Sequence, residues 1–574
     1  MSENVTITTE RVDDIPVLLA QSERMGLAGL LNEHFPSHGN WQGLPLGEIT
    51  TGWLAHILTE GDHRLNHVQA WVQHRPDILG RCLRQAVRAL DWSDDRLAAV
   101  LDQLGDDDRW VAFERALNQQ VLRVYDLHPR RVRVDSTTAS GYWQVTEAGL
   151  FQFGHSADHR PDLPQVKVML STLDPLGLAV ATQVVPGQCA DDPLYVPAIA
   201  EVRASLGQAG LLYVGDCKMA ALETRAFVVA GGDFYLCPLS ERQLPAEVLA
   251  ESLAPVWSQE QQLTPVERTP EGAEQPQTIA EGYERSVSAQ AIVDGRSYTW
   301  TERRLVVRSL SQAHRQEESL RRRLQQALTA LRALNEHRRG KKTYHTAAEL
   351  EPVVAGVLEQ YHVTGLVRLT YTETRQERAR RPYRDRPADV VVEQSVQVAA
   401  TLEEAAVQAA IQRFGWRVYA TNQPAEELSL VQAVLAYREE YLVEHGFGRL
   451  KGRMLSLSPV YLQEDRRVTG LIRLLTMGLR ILTLLQWQVR ERLAARQEKL
   501  AGLSAGNPKR QTARPTAEAL LEAFKYVTLT VIEMGNQVIR HLTPLSELQQ
   551  RILALLDLPL DIYNQLTTHF GESP

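Results

Sequence analysis

Two aspartates sit where side chains of an open α/β sheet do chemistry. Asp135 lies in an alternating run (RVRVDSTT, 131–138), where the strand is expected to end and turn into Ser136-Thr137-Thr138. Asp216 follows the buried-type strand LLYVG (211–215). At strand ends of such a sheet, side chains project into the crevice where ligands bind. Two carboxylates side by side repel unless a cation neutralises them. Oxygen donors with open positions suit Mg²⁺ or Mn²⁺ rather than zinc. Taken singly, each Asp is also the residue type that starts a turn or caps a helix.

A third signal is YREEYLVEHGFGRLKGR (437–453), in which Tyr437, Glu444 and Lys451 are spaced seven and seven. On one continuous helix that spacing lays ring, carboxylate and ammonium along a single face. Glu444 would then complete a metal site, with Lys451 and Tyr437 on a phosphate or base. The plainer alternative is a solvated Glu/Lys/Arg face, for which Gly446 is awkward because it weakens a helix.

The elements that must position these residues follow from periodicity. Residues 1–125 read as amphipathic helices, either a DNA-end-binding or dimerising module or a helical cap over a core. Strands at 131–138, 166–173 and 177–185, the last two joined at Asp174-Pro175, lead to a helix at 197–206, the strand before Asp216, a helix at 220–229 and a strand at 234–239. That order predicts a mixed α/β sheet with helices on its faces. Residues 241–414 read as an inserted β-rich domain with one long basic helix (309–337), and its Arg-rich stretch 373–387 as a mobile loop. A core strand at 415–422 and a long helix from about 429 return to the core, which is assigned to 126–240 and 415–500. A flexible basic linker (501–515) and further helix complete 501–574.

Composition bounds the partners. The 574 residues are 44% hydrophobic and 23% charged, ordinary for a soluble globular chain. No secretory signal opens the sequence, so a cytoplasmic protein is expected. The apolar run 470–487 is interrupted by Arg473 and Arg480 and reads as a basic-edged amphipathic helix on a core, not a membrane span. Cys82, Cys189, Cys217 and Cys237 form no CxxC pair, which gives neither a zinc nor a disulfide framework. His155, Asp158 and His159 share one short polar loop, too little for zinc and expected to cross near the active site. Asp106, Asp107 and Asp108 read as a helix start. The net charge of −8 argues against nucleic acid, but 303–342 hold twelve Lys or Arg against three Glu, and 449–514 fourteen against four acids. These two blocks are the expected phosphate contacts. Trp300, Trp416 and Tyr437 are candidates for stacking on an unpaired base, with a core position the commoner fate of the two tryptophans.

The set VDSTT, GDCKM after a strand, a large insertion, then YREEYLVEHGFGRLKGR with LSLSPVYL behind it resembles the DDE transposases of bacterial insertion sequences. Within them it is most similar to the IS-sixteen-thirty-four-like branch of the insertion-sequence-four superfamily. GHSADHRPDLPQVKVML and VVPGQCADDPLYVPAI add to the resemblance, which runs over about residues 125–490. It implies an RNase H-like core in which Asp135, Asp216 and Glu444 hold two Mg²⁺ ions, with Mn²⁺ able to substitute. It implies double-stranded DNA as partner, both terminal inverted repeats and target, a homodimer on that DNA, and no membrane. The family helix carries Tyr, Arg, Glu and Lys; Tyr437, Glu444 and Lys451 match, whereas Glu440 occupies the Arg position. Arg438, Arg449 or a residue from elsewhere would have to replace that phosphate contact, and Arg453 is a further expected DNA contact beside Lys451. Two alternatives stay open: a catalytically silent DNA-binding regulator, and a metal-dependent nuclease without strand transfer.

Overall fold

The computed structural model describes residues 5–568, except 38, 40, 270–274, 337–341, 381–388, 440, 505 and 536. The chain opens on a strand, β1 (Val5–Arg11), and not on a helix. VTITTER opens on five consecutive β-branched residues, and its partner lies at the other end of the chain, which sequence reading could not see. Seven helices follow: α1 (Ile15–Arg24), α2 (Leu27–His34), α3 (Leu46–Glu60), α4 (Leu65–Gln73), α5 (Pro76–Leu83), α6 (Asp94–Leu104) and α7 (Asp107–Val124). Asp106 caps α7 by accepting from Arg109 N (3.2 Å), the helix start expected of that acidic run.

The central sheet then assembles. Its first strands are β2 (Arg131–Ser140), β3 (Gln165–Leu173) and β4 (Leu178–Pro186), followed by α8 (Tyr195–Leu206), β5 (Leu212–Val214), α9 (Leu222–Ala230) and β6 (Phe234–Pro238). These five strands lie in the order β4-β3-β2-β5-β6. β2 to β4 run antiparallel as a meander, and β5 and β6 join parallel to β2. A three-strand meander whose first strand is the neighbour of two parallel strands is the arrangement of an RNase H-like core.

The insertion divides in two. After α10 (Ala246–Trp257), the strands β7 (Thr264–Arg268), β8 (Gln277–Val293) and β9 (Arg296–Ser309) extend the central sheet instead of forming a separate domain. Then α11 (Leu310–Leu334), α12 (Ala347–Gln360), the hairpin β10 (Val367–Arg380) with β11 (Asp389–Leu402), and α13 (Glu404–Gln412) enclose a hydrophobic cluster of their own. The predicted mobile loop is strand as far as Arg380; residues 381–388 lie outside the described residues. β12 (Trp416–Thr421) bridges β6 and β9, closing the nine-stranded order β4-β3-β2-β5-β6-β12-β9-β8-β7.

The expected single helix from 429 is two, α14 (Leu430–Arg438) and α15 (Tyr441–Lys451). α16 (Asp465–Ala495) follows, then the paired β13 (Leu500–Ala501) and β14 (Gln511–Thr512) within the predicted linker, and α17 (Ala517–Glu522). The predicted all-helical tail instead contains β15 (Thr528–Met534) and β16 (Gln537–Leu542) before α18 (Glu547–Leu556) and α19 (Asp561–Asn564). β1, β15 and β16 form a sheet that ties the two ends of the chain together.

α16 is the spine. It is long and apolar enough to cross a membrane, yet 94% of its most apolar stretch is buried inside the protein. It is apolar all round, as a core helix is, rather than amphipathic. Arg473 bonds Asp107 (2.5 Å) and the Leu104 carbonyl (2.9 Å), and Arg480 pairs with Glu114 in full burial. At Gly470 a Cβ would meet the Leu101 carbonyl at 2.1 Å, so the close approach of α6 to α16 requires glycine.

Candidate active site

The register of β2 against β5 decides which acids meet. Arg133 pairs with Val214 in parallel, so two residues further on Asp135 comes abreast of Asp216 on the same face. Both line a narrow cleft with Arg133, Val134, Val214, Gly215, Tyr437 and Val443. Asp135 Oδ1 accepts from Ser136 N (2.7 Å). Asp216 Oδ1 accepts from Lys218 N (2.8 Å) and from the Tyr195 hydroxyl (2.7 Å).

Tyr195, on α8, is buried, and its pKa is pushed well above the usual tyrosine value. Burial is the larger cause; the charges of Asp216, Asp135 and Asp191 add to it. Tyr195 therefore stays protonated and acts as a hydrogen-bond donor to Asp216. Asp191 accepts from the Ser136 hydroxyl (3.1 Å) and from Lys167 Nζ (2.6 Å), which also donates to the Cys189 carbonyl (2.5 Å). A third carboxylate thus stands beside the pair with its own buried counter-ion. Sequence reading missed Tyr195, Asp191 and Lys167. The available signal was Lys167 itself, an ammonium inside the apolar strand QVKVML.

Glu444 is not brought into this group. The helix break at Glu439 separates Tyr437 from Glu444 and Lys451, so the three do not share one helical face. Val443 lines the cleft; Glu444, the next residue on α15, is exposed and is not among the residues that line it. Among the described residues, no three or more His, Cys, Asp or Glu side chains are grouped so as to hold a metal ion. Gly446 is buried, and a Cβ there would touch Leu170 and Leu479 at an ordinary 3.9 Å, so the position does not demand glycine. Glu440 lies outside the described residues.

The expected DNA contacts are largely engaged within the protein. Tyr437 is buried against Tyr419 (centroids 4.8 Å apart). Arg438 donates to the Ile279 carbonyl (3.1 Å) and the Ser309 hydroxyl (3.0 Å), and Arg449 to Glu518 (2.9 Å). Lys451 pairs with Asp158 (2.5 Å), and Ala157 N donates to the Thr138 hydroxyl (3.0 Å), so the 154–165 loop does cross between β2 and α15. Arg453 is exposed and borders a separate cavity with Asp14, His445 and Glu518. Trp300 is buried with its indole donating to Tyr235, and the Trp416 indole donates to the Gln412 carbonyl.

The two basic blocks share this fate in part. In the second, Arg466 and Arg467 pair with Asp106 and Asp102, Arg473 and Arg480 are the buried ties of α16, and Arg490 reaches the Pro515 carbonyl. Arg496, Lys499, Lys509 and Arg510 are exposed. In the first, Arg303 is buried against the carbonyls of Gln423 and Leu428, whereas Arg321 and Arg322 on α11 are exposed.

Fold and cleft together define a mixed α/β protein with an RNase H-like core and two carboxylates in one cleft, Asp135 within β2, which runs on past it to Ser140, and Asp216 just beyond the end of the parallel neighbour β5. No protein-family model matches the chain, and no curated protein matches it. Among solved structures, the chain is similar to one described as a piggyBac transposase synaptic complex with hairpin DNA, determined by cryo-electron microscopy. Identity is 10% and the TM-score 0.33, over 97% of this chain and 87% of that one. A likeness that loose assigns nothing to this chain.

Proposed function

We propose that this protein is a DNA transposase of the DDE type, cutting the ends of an insertion sequence and joining them to target DNA. The observation that carries the reading is the pairing of Asp135 with Asp216 at one level of two parallel strands in an RNase H-like core. Two carboxylates in one cleft, each accepting hydrogen bonds that fix its orientation, suit a hard divalent cation that keeps some of its water. Asp135 and Asp216 would hold Mg²⁺ or Mn²⁺, and a two-ion site would need Glu444, exposed beside the cleft-lining Val443, to swing in as the further donor when metal and DNA bind. Such ions supply charge neutralisation at the phosphodiester and activate water or a DNA 3′-hydroxyl.

The chain's own residues do the rest. Tyr195 orients Asp216 and stays protonated while doing so. Lys167 neutralises Asp191 and keeps that third charge from opposing the phosphate. The Asp158–Lys451 pair holds the 154–165 loop against α15 at the cleft's edge. Bringing two DNA ends together requires at least a dimer on DNA. The exposed arginines of α11 and the cations at 496–510 are the phosphate contacts in this reading.

The exposure of Glu444 favours a second reading, a DNA-binding regulator without catalysis, and a nuclease without strand transfer is a third. One experiment separates them: DNA carrying the element's ends, incubated with the protein in Mg²⁺ or Ca²⁺, analysed for nicks and joined product. Joined product with Mg²⁺, lost in Asp135→Asn, Asp216→Asn and Glu444→Gln, supports the transposase. Cleavage without joining supports the nuclease, and binding without cleavage the regulator.

A further inference from the structure

Two tyrosine rings lie stacked in the open just past the strand that carries Asp135. Tyr142 and Tyr461 have centroids 6.0 Å apart and planes at 21°. They are 55% and 66% exposed, and Phe153, 57% exposed, lies in the segment that follows Phe151. The backbone under the pair is fixed. Gly141 bridges Val460, Val460 N donates to the Ser140 carbonyl (3.0 Å), and the Gln463 amide donates to the Tyr142 carbonyl (3.3 Å). A Cβ on Gly141 would meet the Phe151 ring at 2.7 Å, so the packing that spaces the two segments admits only glycine. Trp143 stacks on Phe151 at 4.5 Å and anchors the segment from inside. Exposed Arg160 interacts with the Tyr142 side chain and pairs with Asp162 (2.8 Å).

We propose that the Tyr142–Tyr461 pair is a stacking platform for unpaired bases of a DNA strand running from the Asp135/Asp216 cleft. The inference rests on the DNA-cleaving reading above and adds a partner form to it, single-stranded DNA. Near-parallel rings leave an outer π-face in water, and every base offers a matching face whatever the sequence. Seven residues separate Tyr142 from Asp135, about 23 Å along a strand, which about seven stacked nucleotides span at 3.4 Å each. The aromatics singled out by sequence are placed otherwise: Trp300 and Tyr437 are buried, and the Trp416 indole, at the start of β12, is tied to the Gln412 carbonyl at the end of α13.

The test is fluorescence anisotropy of labelled oligo(dT), and of a duplex of equal length, titrated with the full-length protein in EDTA. Tyr142→Ala/Tyr461→Ala should lose about tenfold or more in affinity for the single strand and little for the duplex, whereas Tyr142→Phe/Tyr461→Phe should stay within about twofold. A 2-aminopurine in the strand should be quenched on binding to wild type and not to the Ala variant. Tyr461→Ala alone, away from β2, gives the same readout if the double variant folds poorly. Unchanged single-strand affinity overturns the inference. So does an equal loss for duplex, or loss of self-association in place of DNA binding. Because the assay contains no divalent ion, it reads the platform independently of cleavage. A protein that binds through these rings yet never cuts keeps this inference and loses the parent reading.

Discussion

The acid cleft and the α16 spine handle charge in opposite ways. Along α16, Arg480 is fully buried with Glu114, and Arg473 lies under Trp110 with Asp107, so each cation inside the core has an acid of its own. In the cleft, Asp135 and Asp216 come level on adjacent strands, Asp135 accepting from Ser136 N and Asp216 from the Tyr195 hydroxyl and Lys218 N. A buried pair broken on one side is costly because it strands a charge. Two acids brought level in one cleft repel, and such pairs cluster at functional sites. The contrast separates arginines that hold the fold from aspartates that line a cleft, although both sets looked alike as charged residues on apolar elements.

Substitutions break this contrast in order of size. Asp135→Asn or Asp216→Asn should reduce metal-dependent DNA cleavage on the order of 10³-fold, with thermal stability equal to or above wild type because a repulsion is relieved. Loss of stability with activity retained would assign the pair to the fold instead. Glu114→Ala should cost about 3–5 kcal/mol, read as a lower denaturant midpoint, because Arg480 is left buried and unpaired. Replacing both partners by apolar residues should recover most of that loss.

Tyr195→Phe sharpens the comparison at the cleft. Removing a hydroxyl that orients Asp216 should weaken Mn²⁺ binding by about 10–100-fold, measurable by calorimetry without DNA, with little effect on folding. The smallest effect concerns Glu201, which accepts from Gln183 (2.6 Å). Burial first, and then the Glu114 charge, push its carboxyl up to about 8. It is protonated in the fold at neutral pH and ionised in the unfolded chain. Its stabilising contribution is therefore complete below about pH 4.5 and is lost as pH rises through 8. Urea midpoints at pH 5 and pH 8 should fall for wild type relative to Glu201→Gln, whose difference should be flat.

Much of the local structure was legible. The hairpin at Asp174-Pro175, the strand ending just before Asp216, the basic helix after Ser309 and the apolar α16 follow from alternation, turn residues and helical periodicity, whereas the strand expected to end at Asp135 runs on to Ser140 because Ser136 to Ser140 continue the ladder with β3. Errors fell where a partner lay far along the chain. β1 and β15 read as helix or were passed over because each is stabilised by the other. β7 to β9 read as a separate domain because their edge pairing with β12 has no local signature. Tyr437, Glu444 and Lys451 read as one face because nothing in YREEYLVEH announced a helix break; Glu439 there answers Arg131 across the chain (3.2 Å).

The sequence by itself determined the kinds of element and the presence of an acid on or just after each of two core strands, since backbone periodicity and turn chemistry act over a few residues. Which acids share a cleft, which arginines are consumed by ion pairs and which aromatic rings stay in water were settled by strand register and helix packing. Those depend on contacts between residues hundreds of positions apart, and side-chain chemistry alone does not encode who meets whom.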